Sequence, residues 1–185
     1  MHSKEYLDNA WTAVQTLCRS EKKVAECLYF HGYECFLPLR YKNEYRITPI
    51  SKDDRLPTVP LFPGYLFCRY KTQQNFRIVD AANVIRIISC DNIPTVIPDD
   101  VIKSLQKVAG ERLLVEPCQF IQSDTKVRVE SGPLKGTEGY LVQENKNSYK
   151  ISLGVSAIGQ SVMVDVFNSD IRVIHENVRV VRKVR

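Results

Sequence analysis

The sequence lacks the side-chain groupings that metal sites and disulfide-stabilised folds require. Its six cysteines stand at positions 18, 27, 35, 68, 90 and 118 without a Cys-x-x-Cys pair, and no histidine stands near a cysteine pair. A zinc site is therefore not expected. The even number of cysteines would permit disulfides, but Cys27, Cys35 and Cys68 stand among apolar residues. We interpret them as small buried side chains of a protein in a reducing cytoplasm.

Long apolar runs and catalytic groupings are also missing. No run approaches the roughly 20 residues that cross a bilayer, and residues 1–11 lack the apolar centre of an export signal. No nucleophile stands with a base, and Lys135 precedes Gly136 instead of following a phosphate-binding glycine. The acid pairs Asp53–Asp54 and Asp99–Asp100 fall in a polar loop and at a helix start, where acids are expected on structural grounds. We expect no enzymatic activity, no cofactor and no membrane association.

The composition is that of a folded protein with a mild positive charge. Of 185 residues, 44% are hydrophobic and 25% charged, which allows one ordinary domain or two small ones. Lys and Arg number 26 against 21 Asp and Glu, a net charge of +5. This balance permits contact with nucleic acid but does not require it. The end of the chain, VRVVRKVR, is more strongly basic and is typical of a solvated tail.

The first half of the sequence alternates between strand and helix signals. Ser20 is a candidate N-cap for a helix over 20–32 that Gly32 can end, and Gly110 can end a second helix over 97–110. Strands are predicted at 10–16, 33–39, 41–47 and 83–89, a loop at 48–60, and a short helix within 73–82. The order lacks regular βαβ repeats, which favours an α+β fold with one antiparallel sheet and a helical layer.

The segment LFPGYLFCRY, residues 61–70, concentrates four aromatic rings in ten positions. On a strand that starts after Gly64, Leu66 and Cys68 point to one face, and Tyr65 and Phe67 point to the other. The first face can meet a core. From the residues alone, a place in the core under the helices is the favoured interpretation for any single ring, such as Phe62 or Phe67.

The second half changes character. After a connector, five alternating runs separated by turn residues follow Lys126: KVRVE, EGYLVQ, SYKISL, SVMVDV and DIRVI. Their spacing predicts a small closed barrel.

Residues 124–142, DTKVRVESGPLKGTEGYLV, resemble the KOW motif, and residues 148–166 resemble the later strands of that barrel in NusG-type proteins. The stretches WTAVQTLCRSEKKVAECL, FLPL, LFPGYLF, VIRII and IPDDVIKSL are similar in order and spacing to the NusG N-terminal (NGN) domain. The chain resembles the NusG family, in particular its specialised antitermination paralogues of the RfaH, LoaP and UpxY type. The resemblance implies an NGN-like domain over 9–112, a linker over 113–123, an SH3-like KOW barrel over 124–175 and a basic tail over 176–185.

The resemblance also implies partners and contact residues. In this family the NGN domain binds the clamp helices of RNA polymerase through an apolar surface, to which Phe62, Tyr65 and Phe67 correspond. Tyr65 and Phe67 are expected to stand outward as a pair. Such binding would hold the polymerase closed on nucleic acid and reduce pausing and termination at selected operons.

Two further contact sites follow from the same resemblance. Arg19, Lys22 and Lys23 open the first helix, which in relatives faces the non-template DNA strand, so they are expected to contact that DNA or the nascent RNA. Ile158 and Gly159 lie where relatives dock a ribosomal protein or the termination factor Rho. The barrel is expected to hold its strands at rest and not to refold into a helical hairpin. The protein is expected to be a cytoplasmic monomer.

A second function stays open from sequence. A KOW protein that binds RNA or the ribosome without acting on polymerase would share the second half of the chain. The NGN-like first half favours the transcription factor.

Overall fold

The structure, a computed structural model, describes residues 7–41, 58–110 and 115–176. The helices are α1 (Glu21–Phe30) and α2 (Asp99–Gly110). The strands of the first part are β1 (Trp11–Thr16), β2 (Cys35–Phe36), β3 (Leu39–Tyr41), β4 (Thr58–Pro60), β5 (Tyr65–Arg69), β6 (Val84–Ile87), β7 (Ser89–Cys90) and β8 (Ile93–Pro94). Those of the second part are β9 (Val115–Gln119), β10 (Thr125–Val129), β11 (Glu138–Glu144), β12 (Ser148–Val155), β13 (Gln160–Phe167) and β14 (Ile171–Glu176).

The first part is built on a four-stranded antiparallel sheet in the order β2-β5-β1-β6. Successive side chains on a strand point to opposite faces, so each central strand supplies two cores. Val14, Leu66 and Cys68 face α1, whereas Ala13 and Phe67 belong to the core on the other face. The predicted division of β5 into two faces and the predicted α+β fold are both confirmed.

Helix α1 begins and ends where the sequence predicts. Ser20 is its N-cap and Gly32 follows it with φ of +78°, the left-handed conformation that ends many helices. Val24 and Leu28, four positions apart, are buried against the sheet. Lys22 and Lys23 stay exposed.

Glu21 lies on the same face of α1 as Val24 and Leu28, and its side chain is buried with theirs. Its carboxylate oxygen Oε1 accepts a hydrogen bond of 2.7 Å from the backbone N–H of Gly64. The carboxylate also lies in the first turn of α1, where the helix dipole favours a negative charge. The start of α1 is thereby fastened to the turn that precedes β5.

Helix α2 covers the opposite face of the sheet. Its buried stripe is Ile102, Leu105 and Val108; the sequence predicts a stripe of Val101, Leu105 and Val108, and Val101 is only half-buried. Near its start, Asp99 pairs with Arg69 at 3.1 Å. The Arg69 guanidinium also lies 4.7 Å from the centre of the Trp11 ring, so β1, β5 and α2 are tied at one corner.

The second part is a six-stranded antiparallel sheet in the order β14-β10-β11-β12-β13-β9. The five predicted strand runs are confirmed, and no helix longer than a three-residue turn interrupts residues 115–176. Strand β9 lies within the segment predicted as a linker, so that segment is not a plain connector. Over residues 115–176 no strand pair joins the two edges β14 and β9, so the closure predicted for a barrel is not seen in the pairing.

The two parts share one hydrophobic core. Phe67 and Leu105 of the first part belong to the same buried cluster as Val127, Ile151 and Leu153 of the second. Helix α2 contacts β12. A further link is polar, because the ammonium of Lys107 donates a hydrogen bond to the backbone carbonyl of Lys135.

The predictions for the loop, the short strand, the tail and the short helix have mixed outcomes. The predicted loop over 48–60 is wrong for Thr58–Pro60, which pairs with β3 as strand β4. The predicted strand over 41–47 lies, except for Tyr41, outside the described residues, as does the basic tail from residue 177. The short helix expected within 73–82 is a 3-10 turn at Ile78–Asp80. In the described parts of the chain, no helix has the length and apolar character to cross a bilayer.

Replacing Glu21 by Ala should lower the free energy of unfolding by about 1–3 kcal/mol, because the buried N–H of Gly64 loses its acceptor. Urea unfolding measures this loss. Glu26→Ala is the matched control, since Glu26 is an exposed carboxylate on the same helix, and it should cost less than about 0.5 kcal/mol. Equal losses in the two variants would contradict the assigned role of Glu21.

Candidate functional site

The aromatic segment before and within β5 is held by a tight turn. The N–H of Tyr65 donates to the carbonyl of Phe62 at 3.1 Å, and Pro63 and Gly64 lie between them. Gly64 has φ of +82°. Pro at the second position and a positive φ at the third are typical of a type II turn, which requires glycine there. The Gly64 carbonyl also accepts a hydrogen bond of 2.8 Å from the Thr16 N–H.

The three aromatic candidates are placed together but not equally exposed. Phe62 and Phe67 have 0% exposure, and their rings meet edge to face with centroids 6.0 Å apart. Phe36 of the neighbouring strand stacks on Phe67 at 6.2 Å. Tyr65 is only half-buried and packs against the same cluster.

The expectation that Tyr65 and Phe67 both stand outward is therefore wrong for Phe67. The face on which Phe67 lies is covered by side chains from α2, such as Ile102 and Leu105, and the same cluster extends into the second sheet. The alternation of side chains along β5 correctly predicts the face of the strand on which Phe67 lies, but it does not reveal what covers that face. Of the three candidates, Tyr65 alone has an accessible ring, and the role of the three rings in binding stays a prediction.

The basic candidates surround the start of α1. Arg19 is exposed and has φ of +66°, a left-handed conformation that costs a non-glycine residue on the order of 1 kcal/mol. The ammonium of Lys22 donates a hydrogen bond of 3.1 Å to the Thr58 hydroxyl. Lys23 is exposed, and among the described residues it has no ion-pair partner. Glu21, between these cations, links them to the aromatic turn through Gly64.

Sequence reasoning missed an aromatic patch beside these cations. Tyr29 and Phe30 at the end of α1 are 77% and 86% exposed. Phe30 lies seven positions after Lys23, hence on the same side of the helix. His31 meets Phe30 edge to face and stacks on Phe76 with ring centroids 3.7 Å apart. The sequence itself indicates that these two rings are exposed, because Tyr29 and Phe30 fall outside the apolar stripe of Val24 and Leu28.

The third pair of candidates lies on the second sheet. Ile158 ends the 3-10 turn Ser156–Ile158 and is half-buried against the shared core. Gly159 is exposed with φ of +65°, and a Cβ built there would meet nothing within 4 Å. The turn thus offers an open surface at Gly159 and only part of the Ile158 side chain.

A cleft of about 440 Å³ lies between the start of α2 and the second sheet. Lys126, Arg128 and Glu138 line it as an ion-paired group, with Lys126 Nζ 2.6 Å from a Glu138 oxygen. Hydrogen bonds from Lys126 and Arg128 hold the pKa of the Glu138 carboxyl below its ordinary value of 4.5. Residues 7–41, 58–110 and 115–176 contain no group of three His, Cys, Asp or Glu side chains that could hold a metal ion.

Comparisons with known proteins found a family model and solved structures that match this chain. A sequence model of the family described as "Transcription termination factor nusG" matches residues 9–106, more than half of the 185 residues. The NusG of Thermotoga maritima, solved in work on its domain interaction, matches with a TM-score of 0.53 and 19% identity, covering 90% of this chain and 97% of that chain. At this identity the match supports the fold alone.

Two further solved structures match more weakly. The MjSpt4:Spt5 complex in conformation B gives a TM-score of 0.30 at 13% identity, covering 90% of this chain and 98% of that chain. Conformation A gives 0.27 at 14% identity, covering 90% and 99%. The comparison with curated proteins gave no match.

The lowered pKa of Glu138 predicts an acid-dependent contribution to stability. Its ion pairs stabilise the fold above the unfolded pKa near 4.5, and that contribution is lost as the pH falls through the lower folded pKa. Glu138→Gln should cost on the order of 1 kcal/mol at pH 7 and much less at pH 3, measured by urea unfolding at each pH. Glu144→Gln, at an exposed position of the same strand, serves as the control. A Glu138→Gln penalty that does not change with pH would contradict this assignment.

Proposed function

The chain belongs to the NusG family of transcription factors, and we propose that it is an elongation and antitermination factor that binds RNA polymerase in the cytoplasm. The observation that carries the proposal is the half-buried Tyr65 ring at the edge of a buried aromatic cluster. A rigid ring beside apolar surface is the usual anchor of a protein interface.

The proposed polymerase surface is the accessible border of this cluster. Tyr65, Phe36, Ile88 and Val101 are half-buried residues that pack against it. We propose that the clamp helices of the polymerase contact this border.

The proposed nucleic-acid surface is the exposed side of α1. Arg19, Lys22 and Lys23 supply positive charge, and Tyr29 and Phe30 supply exposed rings. Cations that follow a phosphate backbone and rings on which bases stack are the two components of single-strand binding. The proposed ligand is the non-template DNA strand, which is single-stranded in the transcription bubble, or the nascent RNA.

The two surfaces are joined by the Glu21–Gly64 hydrogen bond, which fixes the start of α1 to the turn before β5. A protein that holds polymerase and the displaced strand at once favours the closed elongating state over the paused one. A shift between two existing conformations suffices, and no bond is made or broken.

We further propose that the second sheet is a KOW domain that recruits another factor. Gly159 and the accessible part of Ile158 form the proposed contact, for a ribosomal protein or for Rho. The open surface around Gly159 supports this proposal.

Replacing Tyr65 by Ala should weaken binding to core polymerase about tenfold, because an interface anchor is lost. Phe67→Ala is unsuitable for this test, since emptying a buried Phe site costs about 3–5 kcal/mol of stability. Titration with core polymerase free of nucleic acid measures the affinity, and transcription across a pause and a terminator measures the effect. Tyr29→Ala is the matched control for the titration alone, as an exposed Tyr outside the proposed polymerase surface. Unchanged affinity in Tyr65→Ala would overturn the proposed surface.

Replacing Phe30 by Ala should weaken single-stranded DNA binding at least fivefold, since one base-stacking contact is worth about 1–3 kcal/mol. Lys23→Glu should weaken it too, and should reduce the slope of log affinity against log salt by about 1 or more. Fluorescence anisotropy with a labelled oligonucleotide measures both. Phe167→Ala, which removes an exposed Phe from the second sheet, is the control. Equal losses in Phe30→Ala and Phe167→Ala would contradict the assignment.

A further inference from the structure

Two cysteines meet across the edge of the first sheet. Cys35 of β2 is the register partner of Cys68 of β5, and both are free thiols. Their sulfur atoms are 3.4 Å apart, with the Cys35 thiol donating a hydrogen bond to the Cys68 sulfur. A disulfide requires about 2.0 Å between sulfurs. Rotation of the two side chains can close the remaining distance between the sulfur atoms, provided that the two backbones are already placed correctly.

The strand register supplies that placement. The N–H of Arg69 donates to the carbonyl of Glu34 at 2.9 Å, and hydrogen-bonded pairs alternate with non-hydrogen-bonded pairs in an antiparallel ladder. Cys35 and Cys68 therefore form a non-hydrogen-bonded pair. The Cα atoms of such pairs are about 4.5 Å apart, which is within the range that disulfides span.

The two thiols differ in access and in protonation. Cys35 is half-buried, whereas Cys68 has 0% exposure. The contact between the two thiols and burial both raise the pKa of the Cys68 thiol, which keeps its proton. Cys68 in turn donates to the Arg69 carbonyl at 3.6 Å. Cys35 is thus the thiol that an oxidant can reach, and Cys68 is the thiol held beside it.

We propose that Cys35 and Cys68 are a site of reversible oxidation by hydroperoxides, which converts the pair to a cross-strand disulfide. The Cys35 thiol gives up its proton and the thiolate attacks one oxygen of hydrogen peroxide; the O–O bond breaks, a sulfenic acid forms on Cys35, and the departing hydroxide takes up the released proton and leaves as water. The Cys68 sulfur then attacks the Cys35 sulfur and displaces its hydroxyl, which leaves as a second water with the Cys68 proton. Both sulfurs are oxidised and the peroxide is reduced, and a thiol reductant restores the dithiol.

The bond would fix the edge of the sheet at the aromatic cluster. Strand β2 has only two residues, and its second residue, Phe36, stacks on Phe67 of β5. A disulfide at the adjacent pair would tie β2 to β5 and close the chain between positions 35 and 68 into a loop. Closing a loop of this length limits the unfolded chain and stabilises the fold.

The test treats the full chain with hydrogen peroxide, blocks the remaining thiols by alkylation and maps the cross-links by mass spectrometry of a non-reducing digest. The expected product is a pair of peptides joined by a disulfide between Cys35 and Cys68. The number of free thiols counted in the denatured chain should fall from six to four. The oxidised chain should melt on the order of 5–10 °C higher than the reduced chain. Reductant should reverse both changes.

Matched variants separate this pair from the other cysteines. Cys35→Ala changes a half-buried residue and should abolish the cross-link and the rise in melting temperature while leaving the fold intact by circular dichroism. The double variant Cys18→Ser with Cys90→Ser removes two exposed thiols and should keep both effects. Retention of all six thiols, cross-links that omit Cys68, or a sulfinic acid on Cys35 in place of the disulfide would each overturn the proposal.

Discussion

The hydrogen bond from Gly64 to the buried carboxylate of Glu21 joins the two surfaces proposed for this protein. Its donor lies in the turn that sets the direction of β5, and its acceptor lies in the first turn of α1. A charged acceptor makes the bond stronger than one between neutral groups, and burial shields it from water. The aromatic strand and the cationic helix start therefore keep a fixed geometry, which a factor that holds two parts of one complex requires.

The central sheet contributes a second constraint, because it is buried on both faces. One face packs on α1, and the other shares its core with α2 and with the second sheet. The side chains of this shared core thus have to stabilise the fold, while the half-buried residues at its border stay accessible for binding. Tyr65 meets both conditions because it lies at the first position of β5, half-buried and packed against the cluster.

Local signals predicted most elements, and tertiary contacts account for what they missed. Capping at Ser20 and Gly32 located α1, and alternation located β5 and the strands of the second sheet, since these patterns depend on nearby residues. The covering of Phe67 depends on residues far along the chain, and no local pattern reports it. Strand β9 escaped notice because Pro117 interrupts its pattern, although proline is tolerated in an edge strand such as this one. At the candidate site, the cations and Tyr65 could be named from sequence, whereas the exposure of Phe30 was overlooked although Phe30 falls outside the apolar stripe of α1.

The core shared by the two sheets also governs how the protein comes apart. Side chains from both sheets bury one another, so neither sheet can lose its packing without exposing apolar surface on its neighbour. We therefore expect the two sheets to unfold together, with a denaturant m value set by the apolar area of both. A partner that separates the two sheets has to compensate, through its own contacts, for the free energy of exposing the apolar surface between them.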